Sequence, residues 1–139
     1  MTDITVTAAQ VNLIDPDKAI VHSFIATETI TAGQVVYMTT AGKVGVADAN
    51  VANKQQARGI ALNGGGAGQA IDVLKEGRIA GYTLSSQTYD DPVFLSDTAG
   101  VVADSVGTLT VPLGLVVPMS DADLTKVLSI TARWAADYT

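Results

Sequence analysis

The sequence predicts an all-β fold: a small β-sandwich or barrel built from two similar β units, with an extended N-terminal arm over residues 1–19 and a single β domain over 20–139. Three observations lead there. Apolar residues alternate with a period of two, turn signals recur about every 8 to 12 residues, and one turn motif occurs twice. At 139 residues one domain is the expected count, and such a chain buries roughly two-thirds of its unfolded surface without crosslinks.

Taken in order, the arm carries Ile4, Val6, Val11, Leu13 and Ile14 with few turn residues, until Asp15-Pro16 forces an extended or turn conformation. It either adds a strand to its own sheet or lies on a neighbouring chain. The runs Ile20-Val-His-Ser-Phe-Ile-Ala26, Gln34-Val-Val-Tyr-Met-Thr39 and Lys126-Val-Leu-Ser-Ile-Thr-Ala-Arg-Trp134 read as strands, being short, rich in β-branched residues and bounded by Gly, Asp, Thr or Pro. In the last run Val127, Ser129, Thr131 and Arg133 face one side and Leu128, Ile130, Ala132 and Trp134 the other. Ala70-Ile-Asp-Val-Leu74 is a further strand, and Lys75-Glu-Gly-Arg78 reads as a charged hairpin turn. Over 48–57 two readings stand: Asp48 caps a short helix, or the segment is a polar loop.

The chain also repeats itself, over about 33–75 and 90–131. Val35-Val-Tyr-Met-Thr-Thr-Ala-Gly42 matches Pro92-Val-Phe-Leu-Ser-Asp-Thr-Ala-Gly100, and Arg58-Gly-Ile-Ala-Leu62 matches Leu113-Gly-Leu-Val-Val117. The separations agree closely: 57 residues between Tyr37 and Phe94, 58 between Gly42 and Gly100, and 55 between Gly59 and Gly114. A turn glycine supplies positive φ without steric cost, so recurrence of the Thr-Ala-Gly turn implies the same local backbone twice. Two such units packed together make one small β core.

These residues carry a family resemblance. The succession Ala32-Gly-Gln-Val-Val-Tyr37, Ala41-Gly-Lys-Val44, Arg58-Gly-Ile-Ala-Leu62, Gly68-Gln-Ala-Ile-Asp-Val73 and Glu76-Gly-Arg-Ile79 resembles small tailed-phage capsid cement, or head decoration, proteins. Asp91-Pro-Val-Phe94, Gly100-Val-Val102 and Pro112-Leu-Gly-Leu-Val116 continue the likeness, which covers about residues 20 to 130. The resemblance implies a β-rich subunit that binds the outside of a mature phage head as an oligomer and stiffens it. Its partners would be the major capsid protein and further copies of itself, with a homotrimer the first choice and a dimer the second. It would be made in the host cytoplasm and end on the virion surface. A carbohydrate- or receptor-binding β module of a phage fibre is the alternative.

Composition narrows the chemistry. With no cysteine and a single histidine, cysteine-ligated metal sites, disulfides and two-imidazole sites are excluded. A net charge of −6 with only 8 Lys and Arg argues against a nucleic-acid partner. No run nears the ~18 apolar residues of a spanning helix, and the first residues lack the basic start of a signal peptide, so no membrane partner is expected. Yet charged residues make up only 16%, against roughly 25% in an average soluble domain. Surface covered by other proteins accounts for that deficit.

No catalytic constellation emerges, and the chain reads as a non-enzyme without a cofactor. Gly64-Gly-Gly-Ala-Gly68 lacks the third glycine and the helix of a dinucleotide fingerprint, leaving a hairpin tip or a subunit-contacting loop. The pairs Asp15/Asp17, Asp90/Asp91 and Asp121/Asp123 sit in turn contexts where Asp bonds its own backbone. His22 has no second ligand beside it and reads as structural or interfacial. The candidate interface residues are Ile4, Val6, Val11 and Leu13 of the arm, Gly64, Gly65 and Gly66, and the terminal aromatics Trp134 and Tyr138.

Overall fold

A computed structural model describes residues 2–138; Met1 and Thr139, at the outer ends of the expected arm and domain, lie outside it. The chain is nearly all β, a curled antiparallel sheet forming a half-barrel. Its strands are β1 Asp3–Ile4, β2 Asn12–Ile14, β3 Ile20–Ile25, β4 Val35–Met38, β5 Val44–Val46, β6 Ala57–Ala61, β7 Ala70–Ala80, β8 Pro92–Leu95, β9 Val102–Ala103, β10 Pro112–Pro118 and β11 Lys126–Thr131. The pairing path is β1-β9-β8-β10-β11-β7-β6-β4-β5, with β2 and β3 also on β7.

Two ladders of one strand order make up that path. In the first a hairpin (β4, β5) pairs through its leading strand with β6, which pairs with β7; in the second β8, β9, β10 and β11 stand in the same relations. Their turns share a backbone: Gly42 has φ +78 and Gly100 φ +75. Their third strands share a close approach. A Cβ on Gly59 would lie 2.5 Å from the carbonyl oxygen of Leu74, and one on Gly114 would lie 1.9 Å from that of Ser129, each 15 residues further on. Each is also preceded by a register shift, between Val36 and Tyr37 in the first ladder and between Pro112 and Gly114 in the second. Only glycine admits the neighbouring backbone so closely beside a bulge.

The long strand β7 joins the ladders. β3 pairs Val21 with Leu74 and Ile20 with Glu76, so β7 carries an extra residue at Lys75. That bulge changes which side chains face inward, and both Leu74 and Ile79, five apart, enter the main core. It also overturns the hairpin expected at Lys75-Glu-Gly-Arg78, which runs on as strand and pairs with β11. Gly77 admits the turn before β3 at this point, since a Cβ there would lie 2.9 Å from Cβ of Ala19.

The main core gathers Val35, Ile60, Leu74, Ile79, Val93, Leu95, Val116, Leu128 and Ile130 from both ladders. A satellite core of Ile30, Val36, Val44, Ala61, Ile71, Val73 and Ala26 lies on the other face of the first ladder, roofed by residues 26–34. The half-barrel is stitched at one end, where Gly100 N–H donates to Ala47 C=O (2.6 Å) and Ala49 N–H to Ser96 C=O (3.1 Å). Between these open readings over 48–57, turns form and no helix does. Ala49 spends its N–H and C=O on the second ladder, and Asp48 closes a turn onto Asn50 N–H (2.9 Å) instead of capping a helix.

Candidate interaction surface

The arm belongs to its own sheet. β1 pairs with β9 and β2 with β7, and Asp3 accepts hydrogen bonds from the hydroxyls of Ser96 and Thr98. Ile4 is consequently buried in the main core, while Val11 and Leu13 are half-buried against it. Val6 bridges to Tyr82 and packs tightly on Gly33. Tyr82 donates to Gly33 C=O at 2.7 Å, and burial pushes its phenol far above the usual range. Ile4 is therefore spent on the chain's own core, where burial gains more than exposure to water, while Val6, Val11 and Leu13 keep part of their surface.

The glycine loop has a structural task too. Gly65 exchanges both backbone hydrogen bonds with Ile30 (2.8 and 2.9 Å) and Gly66 N–H donates to Gln69 Oε1 (2.6 Å). It holds Ile30 over the satellite core, and Gly64 alone of the three is exposed. The N–H groups that a phosphate cradle needs are thus partly committed within the chain.

At the C-terminus the two aromatics part ways. Tyr138 is buried, and the tail behind it is clasped: Gln55 Nε2 donates to Tyr138 C=O (2.9 Å), and Gln56 Oε1 accepts from Tyr138 N–H (2.9 Å). Arg58 donates to the carbonyls of Arg133 (2.8 Å) and Ala136 (3.1 Å). Trp134 lies exposed on this clasp, its Nε1–H donating to Arg58 C=O at 2.8 Å. Its ring centroid is 4.6 Å from His22 and 6.0 Å from Phe24, with Lys75 Nζ 5.5 Å away.

Trp134, Phe24, Met38 and Arg58 line an open groove of about 220 Å³ along the uncovered margin of the satellite core. Beside it runs β3, where Ile20, Val21 and Ile25 are each about 40% exposed. The sequence marks Trp134 as an interface candidate and His22 as structural or interfacial, but not the aliphatic residues of β3. Apolar residues at both parities of Ile20-Val-His-Ser-Phe-Ile25 signal a strand covered on both faces, not which side chains the cover leaves bare.

In two of the three carboxylate pairs one member caps a turn. Asp91 accepts from Thr88 N–H (2.8 Å) and Oγ1 (3.0 Å), and Asp123 from Thr125 Oγ1 (2.7 Å) and N–H (3.0 Å). These bonds hold both carboxyls below the usual value, through the Thr88 N–H first for Asp91 and the Thr125 hydroxyl first for Asp123. Asp15 instead pairs with Arg78, whose guanidinium also donates to Met119 C=O at 2.9 Å. No group of three or more His, Cys, Asp or Glu side chains placed to hold a metal occurs among the described residues. Among them, no helix is long and apolar enough to cross a membrane.

Compared with known proteins, the chain matches no family model, no curated protein and no solved structure.

Proposed function

We propose that this chain is a structural virion subunit, a cement that binds the outer surface of a mature phage head and stabilises it. The observation that carries the reading is the largely apolar strip formed by β3 and the Trp134 groove, in a chain whose low charge calls for covered surface. Large aromatic and aliphatic side chains around one arginine are the composition of a protein-binding hot spot. The repeated glycine motifs of the cement proteins it resembles add to this. A cement stabilises a shell by spanning subunits that only the mature lattice juxtaposes, so its binding free energy adds to theirs.

Purified protein mixed with mature heads lacking it is expected to co-sediment and to raise the melting temperature of the shell. Trp134→Ala is expected to weaken that binding at least tenfold. No co-sedimentation, or binding without a rise in shell stability, would refute the cement role.

The clustering of three rings, His22, Phe24 and Trp134, beside a groove also favours a second reading, a sugar-binding module that stacks on them. Glycan-array binding that is lost in Trp134→Ala, without affinity for heads, would select it.

A further inference from the structure

The loop between β10 and β11 presents an apolar side chain where a polar one is usual. Leu124 is 65% exposed, and no other large apolar side chain among the described residues exceeds 46%. Its backbone is nonetheless held on both sides. Ser120 N–H donates to Asp123 C=O (2.9 Å), Asp123 N–H to Ser120 Oγ (3.0 Å) and Met119 N–H to Thr125 C=O (2.8 Å). The Tyr89 hydroxyl donates to the carbonyl of Leu124 itself. Leu124 is thus a fixed knob, and little ordering remains to oppose its docking.

The Trp134 groove is a hole of matching size and opposite charge. Phe24, Met38 and Trp134 make its wall apolar, and its volume of about 220 Å³ exceeds the ~150 Å³ cavity left by truncating a core leucine. Arg58 forms one side, bonded to the carbonyls of Arg133 and Ala136 and, among the described residues, to no carboxylate. Lys75 Nζ stands 5.5 Å from the Trp134 ring, with Glu76 at 3.8 Å. Leu124 lies between Asp121 and Asp123, both exposed. An acidic rim around an apolar knob therefore complements a cationic wall beside an apolar hole.

A chain cannot fill its own hole. Leu124 precedes the first residue of β11 and Trp134 follows its last, and six strand residues span about 20 Å.

We propose that Leu124 of one copy enters the Trp134 groove of a second copy, so that copies of the chain join head to tail. Knob and hole are different patches, which makes the contact heterologous, and each copy supplies one of each. Asp121 and Asp123 meet Arg58 of the neighbour at the rim, where charges orient the partners more than they bind them. Closure of the ring leaves no knob and no hole unfilled.

This contact does not rest on the cement reading. Under that reading β3, beside the filled groove, remains for the head, and Trp134→Ala lowers head binding by dissolving the ring whose subunits bind together.

The test uses the full chain without any head. Sedimentation velocity and light scattering are expected to give a discrete oligomer at micromolar concentration. Leu124→Asp removes the knob and Trp134→Ala removes the groove wall, and each alone is expected to weaken association at least tenfold. Circular dichroism verifies that both variants are folded. Mixed in equal amounts, they are expected to form a heterodimer, because one intact knob and one intact hole remain between them. Trp134 is the only tryptophan, so its emission reads the filling directly. A shift to shorter wavelength is expected when the Trp134→Ala chain is added to the Leu124→Asp chain. Asp121→Lys is expected to weaken association about threefold at low salt and less at high salt.

A monomer throughout would overturn the contact and leave the groove to the head. An oligomer indifferent to Leu124→Asp or Trp134→Ala, a mixture that fails to recover, or association unchanged by Asp121→Lys would each overturn it as well. A ring that obeys these rules but ignores phage heads would refute the cement role and leave the head-to-tail contact intact.

Discussion

In the ladder β4 to β7 both faces are covered: Val35, Ile60 and Leu74 enter the main core, while Val36, Ala61 and Val73 enter the satellite core under Ala26 and Ile30. In the ladder β8 to β11, Val93, Val116, Leu128 and Ile130 join the main core, whereas on the other face Leu115 remains exposed. The strand order is the same. The cover differs because the segments that supply it, residues 26–34 and 132–138, lie outside the ladders and both reach the first one. The difference locates the interaction surface: the roof over the first ladder stops short of β3 and leaves the Trp134 groove at its margin.

The strongest way to break the likeness between the ladders is to place a Cβ where each must have none. Gly114→Ala and Gly59→Ala both drive a methyl group into the backbone of the next strand, and each is expected to cost about 3 kcal/mol or more. Urea denaturation checks this. If only one of the two is destabilising, the ladders are alike in order but not in construction.

The next largest effect separates them. Ile30→Ala empties the roof of the satellite core and is expected to cost about 2–4 kcal/mol, with a rise in binding of a hydrophobic dye. On the second ladder Leu115→Ser, which is exposed, is expected to change stability by less than about 0.5 kcal/mol. Equal effects would mean that the second ladder has a hidden cover of its own.

A smaller loss is expected at the tail. Trp134→Ala removes the hydrogen bond to Arg58 C=O and the packing on His22 and Phe24, at a cost of about 1 kcal/mol by chemical denaturation. Trp134→Phe keeps the ring and is expected to recover part of it.

The smallest effect concerns the turns of the second ladder. Asp91 and Asp123 have folded-state pKa values below the unfolded 3.8, so the unfolded chain takes up their protons first as pH falls. Their contribution is complete above the unfolded value and disappears as pH drops through the folded values. Asp91→Asn with Asp123→Asn is expected to flatten the stability profile below about pH 4 and to leave the region above pH 6 parallel to the parent. Melting temperature measured across pH 2–7 checks it.

Much of this was legible in the residues. The strands around Ile20, Val35 and Lys126 follow from β-branched alternation, and the paired turns from Thr-Ala-Gly at 40–42 and 98–100. Three features were not legible, each for a physical reason. The strand character of Lys75-Glu-Gly-Arg78 depends on a bulge and on partners from β3 and β11, which no local pattern reveals. The turns over 48–57 depend on hydrogen bonds that Ala47 C=O accepts from Gly100 N–H and Ala49 N–H donates to Ser96 C=O, about 50 residues away. The exposure of β3 depends on where a neighbouring roof ends, which is a property of the packed chain.

By itself the sequence determined the β class, because period-two alternation and turn glycines act within a few residues of one another. It also determined what chemistry the chain lacks, because cysteine-ligated and two-histidine sites need side chains that are not there. Only the tertiary structure decided which apolar residues are spent on the chain's own core and which remain for others. Ile4 and Tyr138 are covered, while Val21, Ile25 and Trp134 are left at the surface. All five are apolar or aromatic, and what separates them is whether the fold supplies a neighbour, a long-range outcome that residue identity does not encode.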